Sequence, residues 1–139
     1  MSEQRNAYLG RTPRPWLELR FRDSNGTPLS LKLIADTGSP QGLILAPQWF
    51  DRLVRSRVAP IRTNFGDMAG GWLQLLMPED GLVELVRGYF SASIGEKVLK
   101  SHPDFAGLVG LPILRLGVYG GDATDFWFRS PTPQPPGTP

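Results

Sequence analysis

Asp36-Thr37-Gly38-Ser39 is the stretch of this chain whose residue types and spacing could do chemistry. A carboxylate can take a proton from water while a carboxylic acid protonates a carbonyl oxygen. Two carboxyls held about 3 Å apart cannot both ionise, so they share one proton and supply both roles. Such a group needs a turn that exposes it and neighbours that fix its orientation. Gly38 lets the backbone come close to a partner, and its amide can donate to the carboxylate. Thr37 and Ser39 place hydroxyl donors within local reach. Only one aspartate of this kind is present, so a pair requires a second copy of the chain.

The remaining candidates are weaker. His102-Pro103-Asp104 is a tripeptide found between the basic helices of J-domain co-chaperones, but here it precedes an apolar, strand-like segment and reads as a loop. His102 is the only histidine, and no motif supports a Ser-His-Asp site built on it. Gly120-Gly121-Asp122-Ala123-Thr124-Asp125 lacks the ligand count of a calcium loop and reads as a hairpin turn. The absence of cysteine excludes disulfides, thiolate catalysis and cysteine zinc sites. Fifteen Lys and Arg against 13 Asp and Glu leave a net charge of +2. The early arginines, Arg5, Arg11, Arg14, Arg20 and Arg22, read as a solvated face, so no nucleic-acid partner is expected.

The elements around Asp36 must deliver it. From Trp16 the chain alternates strictly, with Leu17, Leu19 and Phe21 on one side and Glu18, Arg20 and Arg22 on the other, as a half-buried strand does. Asn25-Gly26 signals a turn, and Leu29, Leu31 and Leu33 alternate again. This is a β-hairpin whose second strand ends at Asp36. Gly42-Leu43-Ile44-Leu45 reads as a short apolar strand. Pro47 at a first helical position, with Trp49, Phe50, Leu53 and Val54 at helical spacing, predicts a helix over about 47–57.

Beyond it, residues 64–71 read as a glycine-bearing connection between strands at Ile61-Arg62-Thr63 and Trp72-Leu73-Gln74-Leu75. Pro78-Glu79-Asp80-Gly81 marks a turn before strands at 82–86 and 89–94. Residues 105–109 predict a buried strand, Pro112 to Leu116 a short helix, and Phe126-Trp127-Phe128 a final strand. Trp16, Trp49, Trp72 and Trp127 are expected in the core or at an interface. Three parts are expected: a polar arm over 1–15, a domain over 16–130, and a tail over 131–139 with five prolines and a glycine, extended and disordered. The polar start shows no signal peptide, and no apolar run approaches the roughly 20 residues of a membrane span, so the expected location is cytoplasmic, with no membrane partner.

The run from Leu33 to Ile44, with Asp36-Thr37-Gly38-Ser39 at its centre, resembles the active-site motif of retropepsin-like aspartic peptidases. Leu108-Val109-Gly110, followed by Leu111-Pro112-Ile113-Leu114, resembles that family's second signature, two apolar residues and a glycine leading into a short helix. The order of elements agrees over about residues 16–129. The resemblance implies a mainly β fold, a closed small β-barrel of the acid-protease type with one or two short helices. It also implies an aspartic endopeptidase acting as a homodimer, needing neither metal nor organic cofactor. Asp36 would be the catalytic aspartate, Thr37 would lock the two active-site turns across the dimer, and Gly38 and Ser39 would support the carboxylate. Residues 64–72 would form a flap with Gly66, Gly70 and Gly71 as hinges. An extended polypeptide substrate would lie between flap and floor, contacting Phe65, Gly66, Gly70, Gly71, Val109 and Gly110, in pockets lined by Leu33, Ile44, Phe65 and Val109.

Two positions depart from the family's pattern. Viral members pair an acidic residue two positions after the motif glycine with an arginine just after the second glycine; Pro40 and Leu111 stand there. Their joint replacement implies a different dimer contact. The other reading of the chain is a dimeric binding module of the same fold that no longer cuts and recruits partners through the Pro-rich tail. The intact Asp-Thr-Gly-Ser argues for the peptidase.

Overall fold

A computed structural model describes residues 3–9, 13–63, 66–76, 83–93, 100 and 102–129. Among the described residues, ten strands and two short helices follow in the order β1 (Glu3–Ala7), β2 (Trp16–Arg22), β3 (Pro28–Asp36), β4 (Leu43–Leu45), α1 (Pro47–Leu53), β5 (Ser56–Thr63), β6 (Gly66–Leu76), β7 (Val83–Phe90), β8 (Gly107–Gly110), α2 (Leu111–Leu114), β9 (Val118–Gly121) and β10 (Asp125–Arg129). The chain is mainly β, as the alternation predicts.

The larger sheet runs β2-β3-β8-β4-β7-β6-β5, and β2 also pairs with β6. Six of its strands therefore close a ring, with β5 hydrogen-bonded outside β6. The closing pairs are Arg20 with Leu76, Phe21 with Leu75 and Arg22 with Gln74. Pairing is antiparallel except between β3 and β8 and between β4 and β7. Alternation places Leu17, Leu19 and Phe21 of β2 inside, beside Leu31, Leu33 and Leu73. Phe50 and Leu53 of α1, with Ile113 and Leu114 of α2, plug the same core. A second cluster joins Ile34, Ile44 and Leu108 to Met68 of β6, with Val58 and Ile61 of β5 packed against it.

The β2–β3 turn has the expected Asn25-Gly26 chemistry, with Gly26 at φ 85°. Asp23, buried, caps it: one carboxyl oxygen accepts the N–H groups of Asn25 and Thr27, both at 2.9 Å. A smaller sheet, β1-β10-β9, gathers both ends of the described chain. Neither β1 nor β9 is legible as a strand in the sequence.

Several boundaries differ from the sequence reading. The helix stops at Leu53 instead of running to about 57, because Val54 is already extended and the Arg55 N–H donates to the Trp72 carbonyl at 2.8 Å. The strand read at 61–63 begins at Ser56, and Pro60 is tolerated in it because β5 is an edge strand with a register shift between Val58 and Ile61. Gly70 and Gly71 lie inside β6 instead of in a connection. The strands read at 82–86 and 89–94 are one, β7, which passes through Gly88 because a side chain there would strike Leu73. The buried strand read at 105–109 is set at Gly107–Gly110. The turn at 78–81 and the tail at 131–139 lie outside the described residues. None of the described helices is long and apolar enough to cross a membrane.

Each tryptophan is half-buried with a cation over its ring. Lys32 lies 5.1 Å from Trp16, Arg52 5.7 Å from Trp49 and Arg87 5.0 Å from Trp72, while Arg5 and Arg129 flank Trp127 at 6.0 and 5.8 Å. The indoles cover core edges and leave their faces to arginine and lysine stems.

Candidate active site

β3 alternates between exposed and buried residues as far as Lys32 and is then buried through Leu33, Ile34 and Ala35. Asp36 emerges half-buried at the end. The parallel neighbour β8 ends at the same level, with Asp36 paired to Gly110. The turn that follows is built around the aspartate. The Gly38 N–H donates to Asp36 Oδ1 at 3.0 Å, and the Ser39 N–H donates to the Asp36 carbonyl at 3.1 Å. The other carboxyl oxygen, Oδ2, has no hydrogen-bond partner among the described residues. One oxygen is thus anchored and one is open.

The loop from Ser39 to Gly42 is fastened to the start of α2. The Gly110 N–H donates to the Gly42 carbonyl at 2.8 Å, and the Leu111 N–H donates to the Ser39 carbonyl at 3.2 Å. This closeness accounts for Gly110: a Cβ there would run into the Gln41 carbonyl and lie 2.9 Å from both the Ser39 Cβ and carbonyl oxygen. Gly107, three residues earlier at the start of β8, is equally hemmed in by the backbone of Ile44 and Leu45. Gly110, the glycine of the Leu108-Val109-Gly110 run, is required by this crossing of two backbones.

The structure places the remaining expected residues as follows. Ser39 is buried and works on the turn, not on the carboxylate, because its hydroxyl donates to the Gln41 carbonyl at 3.0 Å and accepts the Gln41 N–H at 3.3 Å. Thr37 is exposed, and its hydroxyl has no hydrogen-bond partner among the described residues. Leu33 and Val109 are fully buried in the ring core, so they present no surface as pocket walls; Ile44 belongs to the second cluster. Gly66 sits at the start of β6 with φ 95°, paired with Thr63 of β5, whose Oγ1 donates to its carbonyl at 2.9 Å. Gly70 and Gly71 are packing glycines: side chains there would strike Tyr89 and Val58, or Val54 and the Ser56 carbonyl. Phe65 lies outside the described residues.

A groove of about 330 Å³ flanks the turn without containing Asp36, between Pro40 and Gly42 on one side, Leu85 and Arg87 of β7 on the other, and Ile113 with Leu116 at its base. Sequence reasoning missed it, because β7 and α2 are brought beside the turn only by the ring's strand order.

The sequence matches no protein-family model and no curated protein. Among solved structures the chain is similar to a retropepsin-like aspartic protease from Rickettsia conorii, at 15% identity and a TM-score of 0.51, covering 91% of this chain and 98% of that one. It is also similar to EIAV protease in complex with the inhibitor HBY-793, at 14% identity and a TM-score of 0.43, covering 77% of this chain and 90% of that one. The Rickettsia likeness is one of fold: this chain has a retropepsin-like fold.

Proposed function

We propose that this chain is an aspartic endopeptidase, active as a homodimer in which Asp36 of one copy faces Asp36 of another across a two-fold axis. The observation that carries the reading is the Asp36 carboxyl itself, delivered by the buried end of a strand, held through one oxygen by the Gly38 amide and open at the other. Two such groups at short distance share one proton. The ionised carboxyl takes a proton from water as the water attacks the peptide carbonyl, and the protonated one gives its proton to the carbonyl oxygen. Collapse of the tetrahedral intermediate expels the amine, which leaves with a proton returned from the pair. Water and polypeptide are the only reactants, and no cofactor enters.

In this scheme the exposed Thr37 turns toward the second copy and the β5–β6 hairpin covers an extended substrate. Exposure of Thr37 and the positive φ of Gly66 at the start of β6 support these roles. The test is mass spectrometry of peptides released from a denatured proteome at mildly acidic pH. Wild-type protein releases peptides and is blocked by a statine-type transition-state mimic, while Asp36→Asn releases none. Equal cleavage by Asp36→Asn would falsify the reading.

A further inference from the structure

The outer side of the ring carries arginines that the site at Asp36 does not use. Residues directly opposite each other in antiparallel strands share a side of the sheet. Leu73 and Leu75 of β6 point into the core, so Trp72, Gln74 and Leu76 face outward. Register then sets three rows. Trp72 lies beside Arg87 of β7, Gln74 between Arg22 of β2 and Leu85 of β7, and Leu76 between Arg20 and Val83. Arg55 borders the first row: its N–H donates to the Trp72 carbonyl at 2.8 Å, and its Nη1 donates to the Ser24 carbonyl at 3.1 Å.

Arg20, Arg22, Arg55 and Arg87 are exposed, and none of the four forms an ion pair with a carboxylate among the described residues. Arg52, Arg57 and Arg62, by contrast, each have a carboxylate oxygen at 3.4–3.9 Å. The neighbouring acids are committed elsewhere. Glu84 is paired with the core residue Leu75 and so belongs to the other side of the sheet. Asp23 is buried in its turn beside Arg52, and Glu18, further along β2, has Lys32 opposite it on β3.

Among these groups runs a groove of about 560 Å³ lined by Arg55, Ser56, Trp72, Gln74 and Leu85. Leu85 is 59% exposed, the most of any large hydrophobic among the described residues. Together with Arg87 it also lines the groove beside the Asp36 turn. The two grooves therefore meet at Leu85, and a chain lying in one can continue into the other. Guanidinium groups without carboxylates suit an anion, and the bare Leu85 and Val83 among them suit an apolar side chain. A nucleic acid fits less well, because the Arg87 guanidinium lies 5.0 Å over the Trp72 ring and occupies the face on which a base would stack.

We propose that this face is a docking site for an acidic, leucine-bearing polypeptide segment, with its carboxylates on Arg22 and Arg87 and its apolar side chain beside Leu85. Strand spacing and register set Arg22 and Arg87 roughly 10–12 Å apart, about three residues of extended chain. Continuity with the groove at the turn makes the segment an extension of a substrate whose other residues reach Asp36. That last step rests on the endopeptidase reading; the binding itself does not.

Fluorescence anisotropy of a labelled peptide, with glutamates at that spacing and a leucine between them, tests it on the full-length Asp36→Asn protein. Arg22→Glu and Arg87→Glu are each expected to weaken binding about tenfold at unchanged circular dichroism, and Leu85→Ser several-fold. Arg62→Glu, the same change of charge at the far end of β5, binds as before. Absence of binding, full binding by Leu85→Ser or by a folded Arg87→Glu, or a loss with Arg62→Glu as large as with Arg87→Glu overturns the proposal. So does a labelled single-stranded DNA that binds more tightly than the peptide at the same salt. Failure of the peptidase reading looks different: Arg87-dependent peptide binding in a wild-type protein that cuts nothing defeats that reading and leaves the docking site standing.

Discussion

Asp36 and Gly110 are paired residues at the ends of two parallel strands, and each fixes the other's surroundings. The glycine lets the Ser39–Gly42 loop cross against β8, and that crossing holds the turn on which the carboxylate is aimed. Substitution here separates effects on fold from effects on chemistry.

Gly110→Ala is expected to destabilise the chain by about 2–3 kcal/mol, as overpacking against backbone does. The neighbours that a methyl group would meet are the Gln41 and Ser39 carbonyls, which cannot rotate away. Chemical denaturation measures the loss, and an unchanged midpoint would show that the loop moves freely.

Gly38→Ala has a different signature. Its Cβ would lie 3.3 Å from Asp36 Oδ1, tight but against a side chain that can shift. The fold should hold to within about 0.5–1 kcal/mol while the carboxyl is displaced. If Asp36 is catalytic, cleavage falls by roughly ten- to a hundredfold from misplacement alone. Paired measurements of melting temperature and kcat/KM decide this.

The glycines of β6 should divide by mechanism. Gly66→Ala places a side chain at φ 95° with open space around it, a strain of roughly 1–2 kcal/mol. Gly70→Ala meets the Tyr89 ring and Val58 and should lose about 1–3 kcal/mol through crowding. A hinge role for Gly70 would instead show as changed kcat and KM at unchanged stability.

Acid should loosen the β9–β10 hairpin through Asp122. Its Oδ1 accepts the Thr124 N–H at 2.9 Å, the Asp125 N–H at 2.8 Å and the Thr124 hydroxyl at 3.1 Å. The Thr124 amide above all, then the Asp125 amide and the Thr124 hydroxyl, hold this carboxyl below its ordinary range, with a smaller push from Arg5. Because the folded value is depressed, the contribution is present above the unfolded carboxylate range and is lost as pH falls through the folded value. Melting temperatures followed between about pH 2 and pH 7 should show a shallower acid limb for Asp122→Asn than for wild type. Coincident limbs would rule Asp122 out.

Local chemistry was legible in the sequence, and distant pairing was not. The alternation of Leu17, Leu19 and Phe21 and the Asn25-Gly26 turn carry their own periodicity, so the β2–β3 hairpin and the placement of Asp36 could be read directly. The need for Gly110 is not written locally, since its reason is a backbone 69 residues away by numbering, at Gln41. β1 and β9 are short and polar or glycine-bearing, and each is a strand only because β10 lies beside it. Gly70 and Gly71 misled because glycine signals turns locally, whereas here Tyr89 and Val54 exclude anything larger.

The pairing of β1 with β10 also bears on how the chain reaches this state. The hydrogen bond from Arg129 to Glu3 spans 126 residues, and the smaller sheet cannot form until both strands exist. During synthesis the ring strands can begin to associate while β1 waits for β10, its apolar neighbours uncovered. Contacts so distant in sequence slow folding and lengthen the exposure of unpaired edges. For this chain the hazardous interval is the one before Arg129 leaves the ribosome, when β2 has found β3 but Gln4 and Asn6 still have no sheet to belong to.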